Sequence, residues 1–324
     1  MVKVGIVGTG YAAKRRAEAF TADPRAKLTA VAGNILEHAR SFCDSFGGNA
    51  LASWQELVNL TNVDLVVIST INRDHAAIAR AALEAGKHVV VEYPLALSAD
   101  EGASLLALAQ RQNKMLHVEH IELLGGLHQA VRAQLIEIGS PFYVCYKTLI
   151  GKRPAPRRWT FNQELFGFPM MAALSRVHRF TNLFGEVDTV SCQCRFWDVN
   201  TAGDFKSCLC LAQLMFKNGV IADLTYGKGE RIWQEHRSLE LQGELGAVVF
   251  DGQEGNIVRG EDISPITVAS RRGLFVKDTA YVLDYLLQNR PLYVKPEESL
   301  YALKVAEAAR QSAQTGKMMQ LSSI

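Results

Sequence analysis

The sequence predicts two folded parts in series: an α/β domain with a doubly wound parallel sheet over residues 1–120, then an α+β domain with a large, mostly antiparallel sheet over residues 121–324. Three observations predict this. The chain has 324 residues, which at about 150 residues per domain points to two domains. Up to about residue 120, short Val/Ile/Leu runs alternate with helical stretches, the rhythm of βαβ units. Beyond that point the runs lengthen and alternate partially between apolar and polar residues, as antiparallel strands do.

In order along the chain, residues 4–7 read as a strand, 12–20 as a helix and 28–32 as a second strand. Strands at 63–69, 88–92 and 116–118 follow, separated by helices at 76–85 and 99–112. In the second half, strands are expected at 142–148, 190–197, 208–216, 220–226, 237–242 and 247–251. Lys217-Asn218-Gly219 is a hairpin signal, because Asn-Gly readily supplies the positive φ angles of a tight turn. Residues 277–315 read as two helices broken by Pro291 and Pro296. No repeat, low-complexity stretch or long linker interrupts the chain.

Hydrophobic residues make up 48% and charged residues 21%, a globular balance that excludes disorder as the main state. With 35 Lys plus Arg against 33 Asp plus Glu, the net charge of +2 argues against a nucleic-acid or membrane-surface partner. Met1-Val2-Lys3-Val4-Gly5 runs directly into a strand without a long apolar stretch, so a cytoplasmic location is expected. The six cysteines include two Cys-x-Cys pairs rather than Cys-x-x-Cys, which reads as reduced thiols packed on a sheet face and no metal site.

Immediately after the first strand comes Gly8-Thr9-Gly10-Tyr11-Ala12-Ala13, a Gly-x-Gly-x-x-Ala loop opening onto a helix: the Rossmann dinucleotide fingerprint. The first glycine permits the tight turn, the second lets backbone approach a pyrophosphate, and Ala13 allows close helix packing below an anion held at the helix N-terminus. The second strand ends in Gly33-Asn34, where an NAD-binding domain usually has Asp or Glu. Without that carboxylate a 2′-phosphate is not repelled, so NADPH is the expected cofactor and NADH the weaker alternative. Asn34 offers an amide, while Lys14, Arg15, Arg16, His38 and Arg40 are candidate cations for the phosphate; Arg15 and Arg16 read equally well as solvated helix residues.

Ser69-Thr70-Ile71-Asn72-Arg73-Asp74-His75, Gly86-Lys87-His88-Val89 and Glu92-Tyr93-Pro94-Leu95 resemble the glucose-fructose oxidoreductase, inositol dehydrogenase and rhizopine-catabolism (Gfo/Idh/MocA) family over most of the chain. The resemblance implies that Thr70, Ile71, Asn72, His75, Glu92 and Tyr93 join Gly8, Thr9, Gly10, Tyr11, Ala12 and Asn34 in binding the cofactor. Most sugar-oxidising members carry Glu-Lys-Pro and a later Asp-x-x-x-His. Here Tyr93 replaces the Lys, and with His178 aligned on the family His, Leu174 stands in place of the Asp. An alcohol dehydrogenase needs a group to take the hydroxyl proton as hydride leaves, so both changes count against polyol oxidation.

Glu-Tyr-Pro is instead a mark of the biliverdin reductase branch. The run from His117 to Gly126, Pro154-Ala155-Pro156-Arg157-Arg158-Trp159, Phe166-Gly167-Phe168-Pro169 and Ala172-Ala173-Leu174-Ser175-Arg176 are similar to its cyanobacterial members. This resemblance implies NADPH-dependent reduction of biliverdin to bilirubin by hydride transfer to the central methine carbon. Such a flat dianionic tetrapyrrole calls for apolar or aromatic walls and cationic anchors, and for a proton donor or fixed positive charge to lower the barrier.

The resemblance marks Arg176 as the catalytic residue; the competing reading is a structural Arg bound to a carboxylate. An arginine stays protonated, so it more plausibly stabilises developing charge or orders a donating water than titrates as an acid. Arg179, one helical turn on, is a candidate grip for a propionate, with a surface role as the alternative. Tyr93 is expected to flank the pigment, and His120, ending the last strand of the first sheet, points to the crevice where such sheets bind ligands. Trp159, Phe166 and Phe168 form a candidate stacking wall or core, and Arg271 and Arg272 are weaker propionate candidates. The alternatives are a sugar, inositol or dihydrodiol dehydrogenase, a noncatalytic NADP-binding regulator, and a bilin carrier. The chain is expected to act as a monomer.

Overall fold

Strands β1 (Val2–Val7), β2 (Ala26–Ala32), β3 (Asn49–Leu51), β4 (Leu65–Ile68), β5 (His88–Glu92) and β6 (Leu116–Glu119) form a six-stranded sheet in the order β3-β2-β1-β4-β5-β6. Every neighbouring pair is parallel. Val4, Ile6 and all of β4 are fully buried, the continuous apolar run of strands covered on both faces. The strand order reverses between β1 and β4, which makes the carboxyl ends of these two strands the topological switch point. The connecting helices start where their sequences direct: Ser53 and Ser98 accept hydrogen bonds from the backbone N–H of Glu56 and Glu101, in the Ser-x-x-Glu pattern of a capping box.

This computed structural model describes residues 1–321 and divides into two compact units. The first comprises Met1–Ile121 and Arg272–Leu300, and the second Glu122–Arg271 with the chain from Tyr301 onward. The change of sequence rhythm divides the chain once, near residue 120, whereas packing returns residues 272–300 to the first unit. There the helix Leu274–Gln288 packs on Tyr11–Thr21, with Val282 and Leu283 in one core with Phe20, Val31 and Phe42.

The second unit is built on β7 (Pro141–Gly151), β8 (Val187–Trp197), β9 (Ser207–Phe216), β10 (Ile221–Gly229), β11 (His236–Gly243), β12 (Gly246–Asp251), β13 (Glu254–Arg259), β14 (Asp262–Ile266) and β15 (Met319–Gln320). Their order is β14-β13-β12-β11-β7-β10-β9-β8-β15, and every pair is antiparallel except β7 with β10. The turn joining β9 to β10 takes a positive φ, +91°, at Gly219 but not at Asn218, whose side chain instead donates to the Phe184 carbonyl and accepts from the Val220 N–H. From Cys208 onward strand β9 alternates, with Cys208, Cys210, Ala212, Leu214 and Phe216 inward and Leu211 and Met215 outward. The helix Leu174–Phe184 covers the inner face, where Phe180 meets Tyr146 and Phe184 meets Phe216. That packing brings Arg176 and Arg179 to β7 and β10.

Candidate active site

At the switch point of the first unit, Gly8 has φ +119°, and a Cβ there would fall 2.1 Å from the Ser69 carbonyl oxygen, so only glycine fits. Gly10 precedes the helix Tyr11–Thr21 with no side chain capping its N–H groups, and its Cβ position faces open space. Ala13 is fully buried beneath this loop, while Thr9 and Tyr11 flank it, Tyr11 being exposed. The Gly8 N–H donates to the Ala32 carbonyl, while the helix N-terminus after it has no side-chain cap, so the loop fits a dinucleotide pyrophosphate.

Thr9 and Lys14 share a pocket of about 290 Å³ with His38, Ser41, Phe42, Ser45 and Phe46. Of the candidate phosphate cations, Lys14 and His38 line it. Arg16 is withdrawn altogether: it is fully buried, with Nε donating to Glu92 at 2.9 Å and Nη1 to Asp278. Arg15 pairs with Glu18, and Arg40 with Glu37. Asn34 is exposed just beyond β2.

Beyond β4, Thr70 and Ile71 are half-buried and Asn72 is buried. His75 is buried, its Nδ1 2.8 Å from the Pro94 carbonyl oxygen and its Nε2 3.2 Å from that of Thr70. Burial lowers its pKa. His75 thus ties the loop after β4 to the loop after β5 by way of their backbones.

Glu92 and Glu119 face each other in register at the carboxyl ends of β5 and β6. Burial, then the neighbouring Glu92 charge, pushes the Glu119 carboxyl well above the usual range, and its Oε1 accepts from the Ile121 N–H at 2.6 Å. Tyr93 stacks on His120 at 5.5 Å between ring centroids and 7° between planes. His120 is itself buried, with Nε2 2.8 Å from Ser299 Oγ and its N–H donating to the Tyr293 hydroxyl. Within this unit His120 supports the Tyr93 ring rather than presenting its own edge to solvent.

In the second unit, Arg176 donates from Nε to Thr148 Oγ1 at 3.1 Å, and its guanidinium carbon lies 5.1 Å from the Tyr226 ring centroid and 5.8 Å from that of Tyr146. No carboxylate pairs with Arg176 among the described residues. This disfavours the reading of a structural Arg bound to an acid. Arg179 is 1% exposed, which removes the surface alternative. Its Nη2 is 3.6 Å from Glu122, an acid already held by Arg271, and its Nε and Nη1 have no hydrogen-bond partner. Burial lowers its pKa.

His178 is buried, and desolvation followed by His128 lowers its pKa to about 3, while Leu174 is fully buried. An imidazole whose pKa burial holds near 3 is too weak a base to take the hydroxyl proton in alcohol oxidation. Trp159 and Phe166 meet at 6.2 Å; Phe166 is buried, and Trp159 and Phe168 are half-exposed. Arg271 and Arg272 are exposed. Sequence reasoning missed Asp278, Tyr293, Thr148, Tyr226 and Lys228. Only strand register, which aligns Tyr226 with Thr148, brings the sheet residues to Arg176.

Two models of one oxidoreductase family match the chain: its NAD-binding Rossmann fold over residues 2–120 and its C-terminal alpha/beta domain over residues 133–321. The crystal structure of biliverdin reductase from Synechocystis sp. PCC 6803, in complex with biliverdin and NADP+, is 53% identical, covers 97% of this chain and 99% of that one, and superposes with a TM-score of 0.95. A 3-ketoreductase from Actinomadura kijaniata, at 22% identity over 96% and 97% of the two chains and a TM-score of 0.85, shares the fold. Biliverdin reductase A of Mus musculus is 33% identical over 139 residues, 43% of this chain and 44% of that protein, so the match spans under half of the curated relative. Both halves of the sequence thus belong to the Gfo/Idh/MocA oxidoreductase family.

Proposed function

We propose that this chain reduces biliverdin to bilirubin, with NADPH giving hydride to the central methine carbon. What carries the reading is the 53% identity, along nearly the whole chain, to a reductase crystallised with biliverdin and NADP+. The geometry supports it. The polyol reaction lacks its acid–base pair, because Leu174 replaces the carboxylate and burial leaves His178 a weak base. Arg176, in contrast, offers a fixed positive charge that no acid neutralises, suited to the electron density that hydride addition pushes toward a pyrrole nitrogen.

In this reading the glycine loop, with Asn34, Thr70, Ile71, Asn72, Glu92 and Tyr93, binds the nucleotide, which supplies the hydride. Tyr93, braced by His120, presents a flat ring. Trp159 and Phe168 contribute apolar wall, and Arg179 adds positive potential for the propionates. No helix among the described residues is long and apolar enough to cross a membrane. The reading includes a monomer acting in the cytoplasm, with neither nucleic acid nor membrane as partner.

The test is to mix purified protein with biliverdin and NADPH and follow the absorption spectrum. Loss of the long-wavelength pigment band and growth of the bilirubin band are expected, with Arg176→Ala far slower at unchanged NADPH affinity. A flat trace with cofactor demonstrably bound overturns the reading and favours a polyol dehydrogenase or a regulator.

A further inference from the structure

Three sheet side chains converge on Arg176. Tyr146 and Thr148 lie two residues apart on β7 and so share a face, and the parallel partner β10 sets Tyr226 directly opposite Thr148. Thr148 is fully buried. The two rings attract the guanidinium, but a ring face leaves the cation free to rotate and slide above it. A hydrogen bond at Nε removes that freedom, because the Nε–H lies in the guanidinium plane and fixes the direction of the two Nη groups. The choice of acceptor matters as well. A carboxylate at this place would orient Arg176 and cancel its charge, whereas a hydroxyl orients it and leaves the charge intact.

We infer that Thr148 is the positioning residue of this site: its hydroxyl oxygen, by accepting from Arg176 Nε, aims both Nη groups of the catalytic arginine at the pigment. This rests on the proposed biliverdin reduction. Thr148 itself touches no reacting atom and acts through Arg176.

The experiment compares Thr148→Val, Thr148→Ala and Thr148→Ser with the wild type in steady-state turnover of biliverdin and NADPH. Val keeps the shape and removes the acceptor; Ala is the second variant should Val not fold. The expected result is a fall in kcat of about tenfold for Val and Ala, the loss of one hydrogen bond made productive only in the transition state, with KM for biliverdin within about twofold. Ser is expected to restore kcat. In an Arg176→Lys background, which has no Nε–H to hold, Thr148→Val is expected to add less than about twofold. Wild-type kcat in Thr148→Val, or the same fold-loss in both backgrounds, overturns the inference.

If the wild type itself does not turn over biliverdin, the functional reading fails, and the positioning contact is decided separately. In protein with 15N-labelled arginine, the Arg176 Nε–H signal, assigned by its loss in Arg176→Lys, is expected to exchange slowly in wild type and Thr148→Ser and fast in Thr148→Val. Equal exchange in all three overturns the contact.

Discussion

Arg16 and Asp278 form an ion pair with neither side chain exposed, joining the fingerprint helix to the helix Leu274–Gln288 across 262 residues of sequence. Asp278 also accepts from the Tyr293 hydroxyl at 2.7 Å and lies 2.8 Å from His117 Nε2. Against the cost of burial, Arg16 and His117 hold its carboxyl well below the usual range. Asp278→Asn leaves a buried guanidinium with Glu92 as its one remaining ion-pair partner and is expected to cost about 3–5 kcal/mol, the range for breaking a buried pair from one side. Urea unfolding at neutral pH measures it. The paired replacement Arg16→Met with Asp278→Leu should not rescue the loss, because Glu92 then loses its guanidinium and the Tyr293 hydroxyl its acceptor.

Lys14 and His38 line the pocket beside the glycine loop, whereas the neighbouring arginines are paired with acids, and we propose that the former two set the cofactor choice. Lys14→Ala with His38→Ala is expected to raise the KM for NADPH by about tenfold or more and leave that for NADH unchanged, since only the former carries the phosphate those side chains would meet. Asn34→Asp should act from the other side, repelling the phosphate and favouring NADH. Arg40→Ala is the control: with Glu37 already beside it, its removal should leave the preference intact.

Both predictions depend on distinctions that the sequence carried unevenly. The parallel sheet, apart from its short edge strand β3, was legible because apolar runs such as β4 and the Gly-x-Gly loop are local signals. The polar strands β13 and β14 were not, since their pairing rests on neighbouring strands rather than on apolar alternation of their own. Arg15 and Arg16 look alike in sequence, yet one is exposed and the other fully buried. The difference is which face of the helix meets Asp278, a residue in a segment that rejoins the first unit from the far end of the chain. Family resemblance pointed to Arg176, but nothing in the sequence pointed to Thr148 and Tyr226, which meet it only through strand register.

His128 and His178 make stability acid-sensitive. Burial lowers their pKa values to about 4 and about 3, while an unfolded chain holds them near 6.5. Below pH 6.5 the unfolded state therefore binds more protons than the folded one, and stability present at neutral pH falls as the pH drops through this window. Each histidine should contribute about 2 kcal/mol of loss between pH 6.5 and 5. Replacing His178 with Leu should flatten that part of the stability curve measured by urea unfolding at successive pH values, and an unchanged slope would show that His178 is already solvated.

Lys228 acts in the same direction in a higher pH window. It is 5% exposed, with its ammonium 3.4 Å from the Phe166 ring centroid and within 6 Å of Phe161, Phe205 and Tyr226, and it donates to the Thr160 carbonyl. Desolvation lowers its pKa from 10.5 to about 8, with Cys208 opposing weakly. Between pH 8 and 10.5 the unfolded state holds the extra proton, so this group makes the protein more stable as pH rises through that range. At neutral pH the charged lysine is a net burden that the aromatic cage only partly offsets. Lys228→Met, which keeps the stem and removes the charge, is expected to stabilise the protein by about 1–2 kcal/mol at pH 7 and to abolish the rise above pH 8. Phe166→Leu removes the nearest ring and should move the onset of the rise to lower pH, because less of the ammonium's lost hydration is then replaced. A destabilised Lys228→Met at pH 7 would mean instead that the cage and the Thr160 carbonyl hold the cation more tightly than water does.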